Sequence, residues 1–183
     1  MNLQTLDDLS RICHDEASLE YVAPDEEGRQ ILLPSFFRSA IRAGELYGEI
    51  HMSENGDGVA VWIRPEHHLA FRQMVITELS EPYSARYMKL RQSIEEVRTR
   101  LAPGPHWYLM LLAVTPSLPE KVVAEALMQP VLSRADSTGM PCYLETFSEK
   151  RLAFYEDRGF RITGAGRIGA SGPNFWTMGR TAR

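Results

Sequence analysis

The sequence contains little cysteine and no long hydrophobic run. Its two cysteines, Cys13 and Cys142, form neither a Cys-x-x-Cys pair nor a zinc spacing. The histidine spacing does not indicate a metal site either. No apolar run reaches the roughly 20 residues that cross a bilayer, and the first ten residues lack the basic start and apolar core of a signal peptide. We therefore expect a cytoplasmic protein with reduced thiols, no metal and no membrane contact.

The charge balance is mildly acidic. The 24 acidic and 20 basic side chains give a formal net charge of −4, which argues against a general nucleic-acid-binding protein. Hydrophobic residues make up 44% of the 183 residues, enough for one domain with a sizeable core. We expect a single domain over residues 1–183.

Hydrophobic periodicity and turn residues predict a chain that alternates between helices and strands. The predicted elements are, in order, helices at 6–17 and 31–43, strands at 45–53 and 59–64, helices at 69–82 and 87–101, a strand at 106–114, a helix at 117–138, a strand at 141–146, a helix at 148–158, and strands at 160–168 and 174–180. Residues 24–28 are interpreted as a break, Gly44 as a helix end, and Glu-Asn-Gly-Asp-Gly as a hairpin turn. The charged residues within 87–101 are interpreted as a solvated face. Together these elements predict an α/β fold with a mixed sheet.

Four segments carry a family resemblance. They are Gly-Val-Ala-Val-Trp-Ile-Arg-Pro (58–65), His-Trp-Tyr-Leu-x-x-Leu-Ala-Val-x-Pro (106–116), Ala-Asp-Ser-Thr-Gly-Met-Pro-Cys-Tyr-Leu-Glu-Thr (135–146) and Phe-Tyr-Glu-Asp-Arg-Gly-Phe (154–160). In this order and at this spacing they resemble GNAT-type N-acetyltransferases. The resemblance implies a mostly antiparallel central sheet flanked by helices, acetyl-CoA as the cofactor, and a small-molecule or peptide amine as the acceptor. It leaves a homodimer open.

The resemblance also implies roles for individual residues. In the family, backbone groups at the end of the strand that corresponds to 106–114 align the pantetheine arm, and the matching positions are Leu112, Ala113 and Val114. Tyr155 matches the tyrosine that protonates the departing thiolate, a task that suits a neutral phenol. The residue pattern alone leaves a second interpretation open, in which Tyr155 is a core aromatic on an amphipathic helix.

Glu145 lies inside the strand Tyr-Leu-Glu-Thr. Strand alternation places Tyr143 and Glu145 on one face of the sheet. A charged residue in a central strand is rare unless it is paired or functional. Glu145 is therefore a candidate general base, and a structural ion pair is the alternative.

The start of the helix at 117–138 departs from the family pattern. Where the family has Gln/Arg-x-x-Gly-x-Gly/Ala to hold the diphosphate, this chain has Pro119, Glu120, Val122 and Ala124. Ser117-Leu118-Pro119-Glu120 fits a capping box, which predicts that a carboxylate of the protein occupies the helix end where phosphate binds. Arg151 stands where the family often has asparagine. The predicted cofactor contacts beyond the strand are Glu120, Lys121, Val122, Val123, Ala124 and Arg151.

Three functions follow from these features. The first is an acetyl-CoA-dependent N-acetyltransferase with a modified cofactor loop. The second is a degenerate GNAT domain that binds CoA weakly or not at all and acts as a binding or regulatory module. The third uses another acyl donor in the same cleft. Fold alone does not decide between them.

Overall fold

A central sheet of six strands organises the chain in the computed structural model, which describes residues 16–56, 58–67, 69–70, 79–102, 104–115 and 120–183. The elements are α1 (Ala17–Val22), α2 (Glu26–Tyr47), β1 (Gly48–Met52), β2 (Gly58–Ile63), α3 (Tyr83–Leu101), β3 (Trp107–Val114), α4 (Glu120–Thr138), β4 (Cys142–Thr146), α5 (Leu152–Asp157), β5 (Arg161–Arg167) and β6 (Asn174–Arg180). The strand order is β1-β2-β3-β4-β6-β5, with β3 and β4 parallel and the other neighbouring pairs antiparallel. The predicted mixed, mostly antiparallel sheet flanked by helices is confirmed.

Some sequence predictions concern residues outside the described part of the chain. The helix predicted at 6–17 falls there almost entirely, as does much of the helix predicted at 69–82. The capping residue Ser117 and its neighbour Pro119 lie there too. Among the described helices, none is both long enough and apolar enough to cross a bilayer.

The predicted hairpin is confirmed between β1 and β2. The two strands pair from Gly48 opposite Ile63 to Met52 opposite Val59. In the turn, Gly56 adopts a φ of +75°, a conformation that glycine reaches without the steric cost of a Cβ atom. Local turn chemistry therefore sets the register of these strands.

Helix α2 is longer at both ends than the predicted helix at 31–43. It begins at Glu26 because Asp25 Oδ1 accepts a hydrogen bond of 2.8 Å from the amide of Gly28, an N-cap within the segment interpreted as a break. It continues past Gly44 to Tyr47, so the prediction of a helix end at Gly44 is wrong. A Cβ atom at Gly44 would lie 2.6 Å from Cγ1 of Ile50. The glycine therefore permits close packing of the helix against β1.

The helices cover the two faces of the sheet separately. Helices α1, α2 and α3 pack on the front face, against strand residues such as Val59, Val61 and Leu111. Helices α4 and α5 pack on the back face, with Trp62 and Leu144. The alternation of side chains along the strands thus builds two cores.

Strand β3 changes its pairing halfway along its length. Leu109 and Leu111 pair with consecutive residues of β2, so Met110 is an extra residue and forms a β-bulge. The parallel pairing with β4 ends at the same point, where Leu109 lies opposite Leu144. Beyond Leu109, one edge of β3 pairs with β2 while the other edge separates from β4.

The last strand is anchored to α4 by a charged pair. Arg180 of β6 donates two hydrogen bonds of 2.7 Å to the carboxylate of Asp136, and the backbone N–H of Arg183 donates a third at 2.8 Å. The Arg180 side chain is only 4% exposed. The hydrogen bonds from Arg180 lower the pKa of Asp136 to about 2.

Asp136→Asn is expected to lower the free energy of unfolding by about 2 kcal/mol at pH 7, because buried Arg180 loses its charged partner. Since the folded-state pKa of Asp136 is depressed, its contribution is present above the ordinary value of 3.8 and is lost as the pH falls towards 2. Urea unfolding at pH 7 and at about pH 2.5 measures both effects. Asp157→Asn, at an exposed position, serves as the control and should change stability by less than about 0.5 kcal/mol. Equal stability of Asp136→Asn and the wild type at pH 7 would contradict this account.

Candidate active site

A cavity of about 800 Å³ lies where β3 and β4 separate. Its middle is lined by residues 110–112 of β3 and by residues 145–147 at the end of β4. Helices α1, α2 and α3 line it on the front side, Tyr155 lines it on the back side, and Arg151 also lines it. The separation of the two strands therefore joins the two faces of the sheet in one cavity.

The backbone edge of β3 forms one wall of this cavity. Beyond Leu109, no strand among the described residues pairs with β3 on the side of β4. An open strand edge binds an extended polar chain through backbone hydrogen bonds. The predicted contacts Leu112, Ala113 and Val114 lie in this segment. Leu112 lines the cavity, whereas the side chains of Ala113 and Val114 are buried in the front and back cores. Backbone groups in this segment that point away from β2 lie on the open edge.

Tyr155 lies on the back side of the cavity. Its side chain is 4% exposed, and its ring centroid lies 5.3 Å from that of Phe154 and 6.1 Å from that of Phe160. Burial raises the pKa of Tyr155 to about 12, although Arg151 opposes the shift. The phenol therefore keeps its proton at neutral pH. Two interpretations of Tyr155 were drawn from the sequence, a proton donor and a core aromatic. The residue is a core aromatic that also lines the cavity, so its position is compatible with both.

Glu145 lies on the front side, at the point where β4 leaves β3. Its Oε1 atom is buried and has no hydrogen-bond partner among the described residues. Burial raises the pKa of Glu145, and the positive charge of Arg98 opposes this shift. The phenols of Tyr108 and Tyr143 also stabilise the charged carboxylate. A desolvated carboxylate with a raised pKa has the proton affinity that a general base needs.

Helix α3 brings a buried cation to the same end of the cavity. The Arg98 side chain is only 4% exposed and forms an ion pair with Glu95. Its guanidinium carbon lies 4.8 Å from the centroid of the Tyr108 ring, a cation–π distance. The interpretation of the charged residues of this helix as a solvated face is therefore wrong for Arg98. The available signal was its position four residues after Ile94, on the apolar side of the helix.

The first turn of α4 carries a charged contact that the sequence did not reveal. Glu120 Oε1 lies 3.5 Å from Nη2 of Arg151, and Nη1 of Arg151 lies 4.0 Å from Oε2 of Glu16. Arg151 therefore links the start of α4 to the start of α1. The predicted contact of Glu120 with Ser117 falls outside the described residues.

The other predicted loop contacts separate into two groups. Lys121 and Val122 are exposed, and Val122 is 64% accessible to solvent. Val123 packs against the back core and Ala124 is buried within it. Of these predicted loop positions, Glu120 forms a charged contact with a cavity-lining residue, Arg151.

The two ends of the site differ in how well they fit acetyl-CoA. The open edge of β3 and the cavity beside it suit an extended polar arm that ends in a small acyl group. The start of α4 suits a diphosphate less well, because the Glu120 carboxylate would repel it by about 1 kcal/mol for two unit charges 4 Å apart in water. Arg151 supplies positive charge at the same place.

Comparisons with solved structures establish the fold. The chain is 20% identical to a Corynebacterium glutamicum protein described as histone acetyltransferase HPA2 and related acetyltransferase, with 100% of this chain and 94% of that chain covered and a TM-score of 0.64. It is 12% identical to arylalkylamine N-acetyltransferase 2 of Aedes aegypti, with 100% and 97% covered and a TM-score of 0.64. It is 15% identical to an agmatine N-acetyltransferase, with 99% and 96% covered and a TM-score of 0.57. No family model matches the chain. The chain therefore has the fold of the GNAT acetyltransferases, as the sequence resemblance implied.

Proposed function

We propose that this protein is an N-acetyltransferase that moves an acetyl group from acetyl-CoA to the amine of an acceptor. The observation that carries the proposal is the placement of Glu145 and Tyr155. They line the front and the back of one cavity, and the open backbone edge of β3 lies between them. Bound acetyl-CoA would supply an activated thioester carbonyl. The chain supplies a proton acceptor on one side and a proton donor on the other.

Each residue has a separate part in the proposed reaction. Overall, the protonated amine loses one proton to become a nucleophile and a second as its nitrogen bonds to the acetyl carbon. The carbon–sulfur bond breaks, the sulfur gains a proton, and one proton is released to solvent. Glu145 accepts the proton from the amine on the front side, and the hydroxyl of Tyr155 donates a proton on the back side. The backbone N–H groups of Leu112, Ala113 and Val114 lie in the segment that orients the acyl carbonyl.

Calorimetry with acetyl-CoA and with free CoA, combined with an assay of thiol release, tests this function. Suitable acceptors are 2-phenylethylamine, agmatine and an aminoglycoside, since similar structures are named for arylalkylamine, agmatine and aminoglycoside acetylation. We expect both CoA forms to bind and at least one amine to be acetylated. Propionyl-CoA in a parallel assay tests the alternative acyl donor. Cofactor binding without transfer to any amine would contradict the proposal.

A second candidate function rests on the contact between Glu120 and Arg151. If this ion pair closes the diphosphate end, the domain binds CoA weakly and acts as a binding or regulatory module without transferring acetyl groups. The 3.5 Å contact favours this function because it engages Arg151, a cation that lines the cavity. Measured affinity for CoA separates the two functions.

Glu120→Gln is expected to raise the affinity for acetyl-CoA about fivefold, because a repelling carboxylate is removed and Arg151 is released towards the ligand. Calorimetry on the wild type and the variant measures the change. Glu149→Gln removes the same charge at another exposed position and should leave the affinity unchanged. An unchanged or weaker affinity in Glu120→Gln would show that Glu120 does not hinder the cofactor.

A further inference from the structure

We infer that the acceptor is a primary amine that carries a single positive charge on an apolar or aromatic body. This inference rests on the proposed acetyltransferase activity and specifies its substrate class. It excludes polyamines and other polycations as preferred acceptors. Three features of the cavity carry it: the side from which the amine enters, the nature of the walls, and the charges that line them.

The amine enters from the front side of the sheet. Glu145 faces α3 on the front, whereas Tyr155 lines the back. If Tyr155 donates its proton at the sulfur, the donor occupies the back side and the acceptor the front. We call the front part of the cavity the acceptor compartment. It is lined by Phe36 of α2, by Tyr87, Leu90 and Ile94 of α3, and by Glu145 at its inner end.

The walls of the acceptor compartment are mostly apolar, although polar side chains such as Ser39 and Gln92 also line the cavity. Leu90 belongs to the front core, and Phe36, Tyr87 and Ile94 pack against that core while also lining the cavity. An aliphatic or aromatic body gains stability by leaving water for such a surface. A hydrated polyol or a second ammonium group would lose water contacts over the apolar part of this surface.

Among the lining acids, one carboxylate keeps an oxygen available to accept a hydrogen bond from an ammonium group. The lining acids are Glu16, Glu95 and Glu145. Glu16 is paired with Arg151. Arg98 forms an ion pair with Glu95 and also attracts the carboxylate of Glu145. Glu145 retains a buried carboxylate oxygen that no donor among the described residues satisfies.

A second cation on the acceptor would meet positive charge instead. Arg98 and Arg151 form ion pairs with acids of the lining, and the lining also carries the basic side chains of Lys89 and Arg91. Like charges disfavour a polycation, and a buried cation without a partner is costly. The same lining accepts a monoamine because Glu145 balances its one charge.

The test compares 2-phenylethylamine with agmatine and spermidine as acceptors for the wild-type protein. We expect kcat/KM for 2-phenylethylamine to exceed the value for either polycation by at least about tenfold. Equal or higher kcat/KM for agmatine or spermidine would overturn the inference while leaving the acetyltransferase activity established.

Calorimetry with the same amines in the presence of CoA keeps the two proposals distinguishable. If 2-phenylethylamine binds more tightly than agmatine but no amine is acetylated, the acetyltransferase proposal fails and the substrate class is supported as a binding preference. Tighter binding of agmatine or spermidine would overturn the inference whether or not transfer occurs.

A matched pair of variants tests the role of the lining charge. Met88 lines the cavity and is 51% exposed, whereas Leu46 of α2 is 47% exposed and lies outside the lining. Met88→Glu should raise the kcat/KM of agmatine relative to that of 2-phenylethylamine at least about fivefold, because it adds a carboxylate for the second cation. Leu46→Glu adds the same charge elsewhere and should leave the ratio unchanged. An unchanged ratio in Met88→Glu, or an equal rise in Leu46→Glu, would overturn the charge argument.

Discussion

Glu145→Gln is expected to lower kcat for acetyl transfer about 10³-fold, because a general base typically contributes about 10²–10⁴-fold. Glutamine keeps the shape and hydrogen-bonding capacity of the side chain but does not accept the proton from the amine. Steady-state and single-turnover assays with saturating acetyl-CoA and 2-phenylethylamine measure the loss. Glu156→Gln, at an exposed position on α5, is the matched control and should keep full activity.

The pH dependence of the transfer rate provides a second test of Glu145 as the general base. Burial raises the pKa of Glu145, so the wild-type rate should rise with pH through a midpoint above the ordinary carboxyl value of 4.5 as the carboxylate forms. The Gln variant should lack this acidic limb. If the residual rate of the Gln variant keeps the pH dependence of the wild type, another group titrates in this range and Glu145 is not the base.

Stability measurements separate the base from the alternative of a structural ion pair. A raised folded-state pKa means that the protonated carboxyl favours folding below the unfolded-state pKa, and that this contribution is lost as the pH rises. At pH 7 the ionised Glu145 therefore adds nothing to stability through its shift, and the neutral Gln variant should melt no lower than the wild type. A large fall in the melting temperature with normal activity would identify Glu145 as a structural partner of Arg98.

The arrangement of helices and strands could be predicted where local pattern decides it. The turn at Gly56 and the continuous apolar run of β3 have local signatures, and both were predicted in place. The ends of α2 were not, because Asp25 extends the helix through a cap and Gly44 serves close packing against Ile50. The sequence alone does not distinguish a glycine that ends a helix from a glycine that allows another element to pack closely against the helix.

The candidate site could be predicted only in part for a similar reason. The resemblance singled out Tyr155 and the strand pattern singled out Glu145, but the placement of both on one cavity depends on the separation of β3 from β4. That separation coincides with the bulge at Met110, and a continuous apolar run does not reveal which residue lacks a partner. Arg98 was missed because it is charged, although it stands on the apolar side of α3 and is buried.

Tyr155→Phe is expected to lower kcat about 10²-fold and to change acetyl-CoA affinity little, because a general acid acts in the transition state and not in the bound ground state. The ring still packs against Phe154 and Phe160, so the fold should be retained. Single-turnover rates and calorimetric affinities measure the two quantities. Tyr83→Phe removes a hydroxyl that bonds to Asp25 outside the cavity lining, and as the matched control it should leave kcat unchanged.

The choice of leaving group sharpens the Tyr155 prediction. Burial raises the pKa of Tyr155 to about 12, so the phenol carries its proton throughout the neutral range and is available as a donor. An alkanethiolate, whose parent thiol has a pKa of roughly 8.5, benefits from that proton, whereas the thiolate of an acidic arylthiol leaves without it. The defect of Tyr155→Phe should therefore be large with acetyl-CoA and nearly absent with an aryl thioacetate as the donor. An equal defect with both donors would show that Tyr155 orients the donor without protonating it, and an unchanged rate with acetyl-CoA would exclude it from the chemistry.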